Sequence, residues 1–258
     1  SGMTGANGGL LVIVADDPSM HSSQNEQDSR YYGAFAMLPM LEPCNQQEAY
    51  DMARYGFELS ERNRIPVLTR MVTRLSHSRA VVEADTEATA ENKLHYPANP
   101  RQWVLMPAVS KVRNRQLIKD QEAFIAESEK SPFNRYEEGD DKSLGVIASG
   151  IAYNYLQEAF DGQVPFPVVK IGQYPLPVAM LKRLQDECDE ILVLEEGQPF
   201  IEDKIGGILY EGKPIHGKLS GDVVRDGELS PDEVVATMRR LRPEVRGLMV
   251  REVPEKSE

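Results

Sequence analysis

Leu10 to Ala15, LLVIVA, is the feature that most constrains what this chain can fold into. Six apolar residues with β-branched members read as a strand of a parallel sheet, buried on both faces and needing a neighbour on each edge. Only SGMTGANGG precedes it, a run of turn-formers with no partner strand. Either later strands flank this one or the chain starts partway through a domain. No uninterrupted apolar run approaches the roughly 18 residues of a membrane span. The first residues also lack the charged start and cleavage pattern of a signal peptide. These readings point to a protein of the cytoplasm that does not enter the membrane.

Beyond the strand, elements alternate. Glu26 to Ala36 reads as a helix and residues 39–43, PMLEP, as a short extended piece. Asn45 with Glu48 three places on forms a capping box, in which each side chain satisfies a backbone donor near the other. Met52, Ala53, Phe57 and Leu59 mark one face of the helix that follows, and PVLTRMV at 66–72 is a β-run. This β-α-β order predicts a parallel sheet with helices packed against it. Residues 83–141 are polar, Pro-bearing and without a clear period, enclosing one helix at 109–128. A second α/β unit follows, with strands at 144–150, 167–172 and 189–196 and helices between them. Ser230 as N-cap, Pro231 at the first helical position and Glu233 define the start of a final helix. At 258 residues the chain exceeds one usual core, so two units are expected.

Charge and motif content narrow the function. The formal net charge is -12, which repels a phosphate backbone, and nucleic acid is not expected as a partner. Cys44 and Cys188 stand far apart, fit a reducing compartment and build no metal cluster. No Walker-type phosphate loop, HExxH, GxSxG, CxxC or GxGxxG occurs. Ser149-Gly150 after a strand reads as an ordinary turn into a helix. His77 and His216 read as polar loop or surface residues, and Glu195 with Glu196 as a solvated strand end. The segment after the first strand is different, because Asp16, Asp17, His21, Ser22, Ser23, Gln24, Asn25 and Gln27 crowd together there. Ligands bind at the carboxyl edge of open α/β sheets, so a binding or interface role is expected for it.

TGANGGLLVIVADDPSMHSSQNEQDSRYYGAFAMLPMLEP at 4–43 resembles the thiamine-diphosphate-dependent 2-oxoacid:ferredoxin oxidoreductases, and within them the α-subunit family of the indolepyruvate ferredoxin oxidoreductases. The likeness continues through QEAYDMARYGFELSERNRIPVLTRMVTRLSHSR at 47–79, LGVIASGIAYNYLQEAF, KIGQYPLP and ILVLEEGQPFIED. It implies the second half of a pyrimidine-type domain at 1–82, a linker with a helix at 83–141, a domain similar to the C-terminal domain of transketolase at 142–245, and a tail at 246–258. It implies an enzyme that oxidatively decarboxylates an aryl 2-oxoacid such as indolepyruvate to its acyl-CoA, with ferredoxin as electron acceptor. Thiamine diphosphate, Mg²⁺ and 4Fe-4S clusters would serve the full enzyme, with none bound by this chain alone.

By position in that family, Asp17, His21, Ser22, Ser23, Gln24, Asn25 and Arg30 would line the substrate or cofactor pocket. The hydroxyls and amides of residues 22–25 would supply neutral hydrogen bonds to a carboxylate or pyrimidine, and Arg30 would pair with an acid. The family's upstream YPGTPSSE-like turn and its activating Glu, its GDG…N metal motif and its cysteine clusters are absent here. The chain is therefore expected to be inactive alone, working with other domains or subunits, ferredoxin and coenzyme A in a dimer or larger assembly. Two alternatives stay open: another 2-oxoacid such as pyruvate, 2-oxoglutarate or phenylglyoxylate as substrate, or a non-catalytic assembly module of the same fold.

Overall fold

Strand and helix alternate along the chain largely as the apolar pattern predicts, but the strands gather into two sheets that share a core. The structure is a computed structural model that describes residues 4–85, 93, 96, 99–209 and 212–249. In chain order the elements begin with β1 Leu11–Asp16, α1 Arg30–Phe35, β2 Met40–Leu41, α2 Gln46–Asn63, β3 Val67–Val72, α3 Thr73–His77 and α4 Pro107–Ser128. They continue with β4 Arg135–Glu137, β5 Leu144–Ser149, α5 Ile151–Ala159, β6 Val168–Ile171, β7 Gln173–Tyr174, α6 Val178–Glu187, β8 Glu190–Leu194, α7 Phe200–Ile205, β9 Ile215–His216 and α8 Pro231–Leu241.

The first sheet has the order β1-β3-β2-β7, parallel except for the antiparallel β2-β7 pair. The second has the order β4-β6-β5-β8-β9, parallel except for β4. Strand β4 lies within the stretch read as linker, and β7, reached only after three strands of the second sheet, closes the first. Along β5 successive side chains point to opposite faces. Val146 and Ala148 accordingly join the core under α5 and α8, while Ile147 joins the core under α6 and α7. That second core also takes in Met40 and Leu68 of the first sheet, so the two sheets are packed as one body.

Both expected helix starts are present. The Asn45 side chain accepts the Glu48 N–H at 2.8 Å, and Glu48 reaches back to the Cys44 N–H at 3.0 Å. Ser230 accepts the Glu233 N–H at 3.2 Å.

Three expectations are corrected. The helix expected over Glu26 to Ala36 spans only Arg30–Phe35, because the Ser29 N–H donates to the Asp16 carboxylate at 2.8 Å and the Arg30 N–H to Asp28 Oδ1 at 3.2 Å instead of to carbonyls four residues back. The buried face of α2 consists of Met52, Gly56, Leu59 and Ser60, whereas Ala53 and Phe57 face outward. Positions 52, 56, 59 and 60 follow the 3.6-residue period and 53 and 57 do not. Among the described residues β1 is an edge strand with β3 as its one partner, and it is not buried on both faces: Ile13 is 64% exposed and Val12 39%. An apolar run states that a strand favours cover, without stating which element supplies it.

Candidate functional site

Strands β1 and β3 end side by side, with Asp16 opposite Val72. The carboxyl edge of the first sheet therefore faces the loop after β8. Asp17 turns the chain there. Its carboxylate accepts the Thr73 hydroxyl at 2.6 Å and the backbone N–H groups of Ser22 and Ser23 at 2.8 Å each. The Thr73 hydroxyl, then the Ser22 N–H, hold its carboxyl well below the usual carboxylate range despite some desolvation. Within this turn Ser19 and Met20 sit at φ 67° and 54°, a left-handed conformation that side chains rarely adopt. Such strain is kept only where the surroundings fix it, here Asp17 on one side and the Glu26 carboxylate, which accepts the Ser19 N–H at 3.0 Å, on the other.

Beyond the turn the chain shows its polar side chains to solvent. His21 is exposed and meets Glu228 at 3.2 Å, and Glu228 also accepts from Arg74 at 2.7 Å. Ser22, Gln24 and Asn25 are exposed and Ser23 is half-buried. These residues form an open rim. An open apolar pocket of about 290 Å³ lined by Met37, Met40, Ile125, Tyr174 and Phe200, among others, includes none of them.

From Asp28 to Arg30 the character reverses. Arg30 is fully buried, donating to Asp28 Oδ1 at 2.9 Å, to Glu195 Oε2 at 2.8 Å and to the carbonyls of Glu196 and Gln198 at 2.8 and 2.9 Å. Its guanidinium also stacks 5.2 Å from the Phe200 ring centroid. Of the pocket residues expected from the sequence, Asp17, His21 and residues 22–25 lie in one turn, and Arg30 lies below it, paired within the protein on every side.

Arg70 of β3 is the second hub, donating to Asp16 at 2.6 Å, to Glu42 and to the Glu196 carbonyl at 3.1 Å. The Tyr174 hydroxyl donates to the other oxygen of Glu42. Two glycines make the approach possible. At Gly150, φ +49°, a Cβ would stand 2.7 Å from Glu42 Cγ; at Gly197, φ +87°, it would stand 2.9 Å from both Arg70 Nη2 and Asp28 Oδ2.

Sequence reasoning placed Glu195 and Glu196 at a solvated strand end, and the structure corrects this: both are 1% exposed. Glu195 accepts the Ile201 N–H at 2.9 Å at the start of α7 and balances Arg30. Glu196 Oε1 accepts the Leu229 N–H at 3.3 Å, while Oε2 has no hydrogen-bond partner among the described residues. Burial pushes the Glu196 carboxyl up to about 7, opposed by Lys218. Burial also raises Glu195. Asp28 behaves oppositely: its desolvation is outweighed by Arg70 and Arg30, which hold it at about 2. Lys218, itself buried and lowered by desolvation, donates to the Gly197 carbonyl.

Three cations, Arg30, Arg70 and Lys218, thus face five carboxylates, Asp16, Asp28, Glu42, Glu195 and Glu196. Burial, only partly offset by Lys218 and Arg70, is why the Glu196 carboxyl holds its proton to higher pH than an ordinary carboxyl. Arg70, Glu42 and Asp28 carried no signal in the sequence, since a buried charge is spelled like a surface one. Neither histidine noted from the sequence is a ligand in this arrangement: His77 is exposed, and His216 lies between Asp222 at 2.8 Å and Glu190 at 3.2 Å. Among the described residues no group of three His, Cys, Asp or Glu is placed to hold a metal ion. Among them, too, no helix is long and apolar enough to cross a membrane.

No protein-family model matches the chain. Curated proteins do. It is 38% identical to indolepyruvate oxidoreductase subunit IorA of Methanothermobacter marburgensis over 262 aligned positions, 98% of this chain and 42% of that protein. It is 38% identical to the subunit of the same name from Pyrococcus abyssi, over 83% of this chain and 35% of that one. The chain thus spans about two-fifths of the length of the curated relatives it matches, and the resemblance read from residues 4–43 extends over nearly all of it. Among solved structures, a 2-oxoglutarate:ferredoxin oxidoreductase from Magnetococcus marinus aligns with TM-score 0.62 at 14% identity, covering 93% of this chain and 50% of that one. A split-gene transketolase aligns with TM-score 0.51 at 12% identity, covering 89% and 65%. These two likenesses establish the fold: paired α/β units of the kind that the sequence predicted.

Proposed function

We propose that this chain, a relative of the IorA subunits of indolepyruvate oxidoreductases, is part of an enzyme that oxidatively decarboxylates aryl 2-oxoacids to acyl-CoA with ferredoxin as electron acceptor. The observation that carries the reading is the similarity over 98% of the chain, which includes the whole polar turn after β1. The ferredoxin oxidoreductase fold agrees with it.

In this reading the exposed rim from Ser22 to Asn25 is one wall of the reacting site, and other domains or subunits supply the rest. The rim fits that task because Gln24 and Asn25 have no hydrogen-bond partner among the described residues and can serve a carboxylate or an aminopyrimidine ring. It does not fit the anchoring of Mg²⁺ or of iron-sulfur clusters, for which these residues offer no ligand set. Thiamine diphosphate, when bound by the complete enzyme, supplies an electron sink for the decarboxylation. This chain's residues hold the polar wall in place. Asp17 fixes the turn through Thr73 and the Ser22 and Ser23 N–H groups, and the Arg30-Arg70 joint below keeps the turn rigid against the second sheet. In this reading the chain divides into residues 1–82, 83–141, 142–245 and 246–258, although β4 of the second stretch joins the sheet of the third and β7 of the third joins the sheet of the first, and it works in a cytoplasmic dimer or larger assembly that also engages coenzyme A.

A second reading, a module whose task is assembly, is favoured by one observation: Val12 and Ile13 of β1 and Tyr32 and Phe35 of α1 are exposed apolar side chains on the two elements that precede and follow the turn. Turnover of a panel of 2-oxoacids by the complete enzyme tests the first reading. Indolepyruvate and other aryl 2-oxoacids should give the highest kcat/KM with ferredoxin as acceptor. A preference for pyruvate or 2-oxoglutarate would sink the aryl assignment, and no turnover of any 2-oxoacid would favour the assembly role.

A further inference from the structure

Helix α4 carries a surface that neither core of the molecule uses. Its inner face is made by Leu117, Phe124 and Ser128, packed near Ile65, Met37 and Leu38. Its outer face, with the segment leading into it, leaves Trp103, Val104, Leu105, Met106, Val112 and Ile118 exposed, Met106 and Val112 at 61% and 63%.

The same stretch is cationic. From Asn99 to Lys119 the sequence holds Arg101, Lys111, Arg113, Arg115 and Lys119 and no acidic residue, in a chain whose net charge is -12. Among the described residues none of these five forms an ion pair, whereas Arg54, Arg62, Arg74, Arg135, Arg183 and Arg242 each hold a carboxylate. Lys111, Arg115 and Lys119 stand four residues apart on the exposed side, so they form one row and repel along it. A helix with such a row is relieved by carboxylates supplied from outside.

We infer that the exposed face from Trp103 to Lys119 is a docking surface for an acidic polypeptide face on a companion subunit of the same enzyme; the companion rests on the subunit reading above, the surface on its own residues. Composition matches an interface, since aromatic residues, Met and Arg are enriched where proteins meet. An anionic membrane fits less well. Membrane-surface helices segregate apolar from cationic residues, and here Val112 lies between Lys111 and Arg113 and Ile118 beside Lys119, with no apolar stripe. The surplus of acids elsewhere in the chain also repels such a membrane.

The test uses the full-length subunit and its purified companion subunit. Binding is measured as a function of KCl for wild type, K111Q/R115Q/K119Q and K111E/R115E/K119E, and hydrogen exchange of residues 103–119 is followed in wild type, free and assembled. Charge reversal should weaken binding by roughly tenfold or more and flatten its salt dependence, with the Gln variant in between. Residues 103–119 should gain protection on assembly. Unchanged affinity and salt dependence, no protection, or no binding of the companion by wild type would each overturn the inference. Exposed positions should leave melting unchanged, and the exchange experiment needs no variant at all. The two readings fail separately: normal protection without turnover of aryl 2-oxoacids counts against the proposed function alone, and normal turnover with undisturbed assembly of the charge-reversed variant counts against this surface alone.

Discussion

Residues 22–25 and residues 28–30 are neighbours in sequence and opposites in environment. Ser22, Gln24 and Asn25 face solvent on a turn held by Asp17, while Asp28, Ser29 and Arg30 are buried in a joint tying β1, β3, β2, β7 and the loop after β8. In the first group Gln24 and Asn25 have no partner among the described residues, while the Ser22 hydroxyl donates to Asp17 at 3.4 Å; in the second, the carboxylate of Asp28 and the guanidinium of Arg30 are bonded within the chain. A rim that must present groups at fixed positions needs a rigid support, and a buried charge network is rigid because each member constrains the next.

The largest effect that separates the two regions is expected at Arg70. Replacing it with Ala strands Asp16 and Glu42 without their cation, and breaking a buried pair in this way costs about 3–5 kcal/mol. Chemical denaturation of the complete protein should show this as a large fall in midpoint. A loss below about 1 kcal/mol would mean that the joint is no more than packing.

Glu196 sharpens the comparison through pH. Its carboxyl titrates at about 7 in the folded protein against an ordinary 4.5, because burial penalises the anion. The folded state therefore keeps a proton that the unfolded state releases. This contribution to stability is fully present below about 4.5, falls as pH rises through the window from 4.5 to 7, and is lost above it. Glu196→Gln should remove that slope and be the more stable protein at pH 8, by about 3 kcal/mol at most. A wild-type stability curve flat from pH 5 to 8 contradicts this placement of the charge. Away from both regions, Asn45→Ala should cost about 1 kcal/mol through loss of the α2 cap, and thermal melting measures it. At the rim, alanine at Ser22, Gln24 and Asn25 together should change stability by less than about 0.5 kcal/mol each.

The scaffold was legible where a pattern repeats. The alternation of strand and helix and the caps at Asn45 and Ser230 were legible from apolar periodicity and capping spacing, whereas the two-faced burial expected of β1 was not met. Strands β7 and β9, two residues each, are too short to carry a period and are set by their partners. The unusual density of amides and hydroxyls after β1 was legible, and it is the reason a binding or interface role is expected there. The joint was not, because nothing in the β-run VLTRMV tells a buried Arg70 from an exposed one. Its burial depends on Asp16 of the paired strand β1, on Glu42 after the paired strand β2 and on the loop after β8 of the other sheet, which come together only in the tertiary fold. Glu195 and Glu196 were noticed at the strand end and assigned to solvent for the same reason.

The central claim is that the joint holds the turn so that its outer side chains serve catalysis. Turnover of an aryl 2-oxoacid by the complete enzyme carrying Ser22→Ala, Gln24→Ala and Asn25→Ala measures it most directly. We predict that kcat/KM falls by roughly tenfold or more, as expected when positioned hydrogen-bond donors are removed from a reacting site, with melting and assembly unchanged. Wild-type kcat/KM, or a loss of turnover that merely follows dissociation of the complex, would contradict the claim.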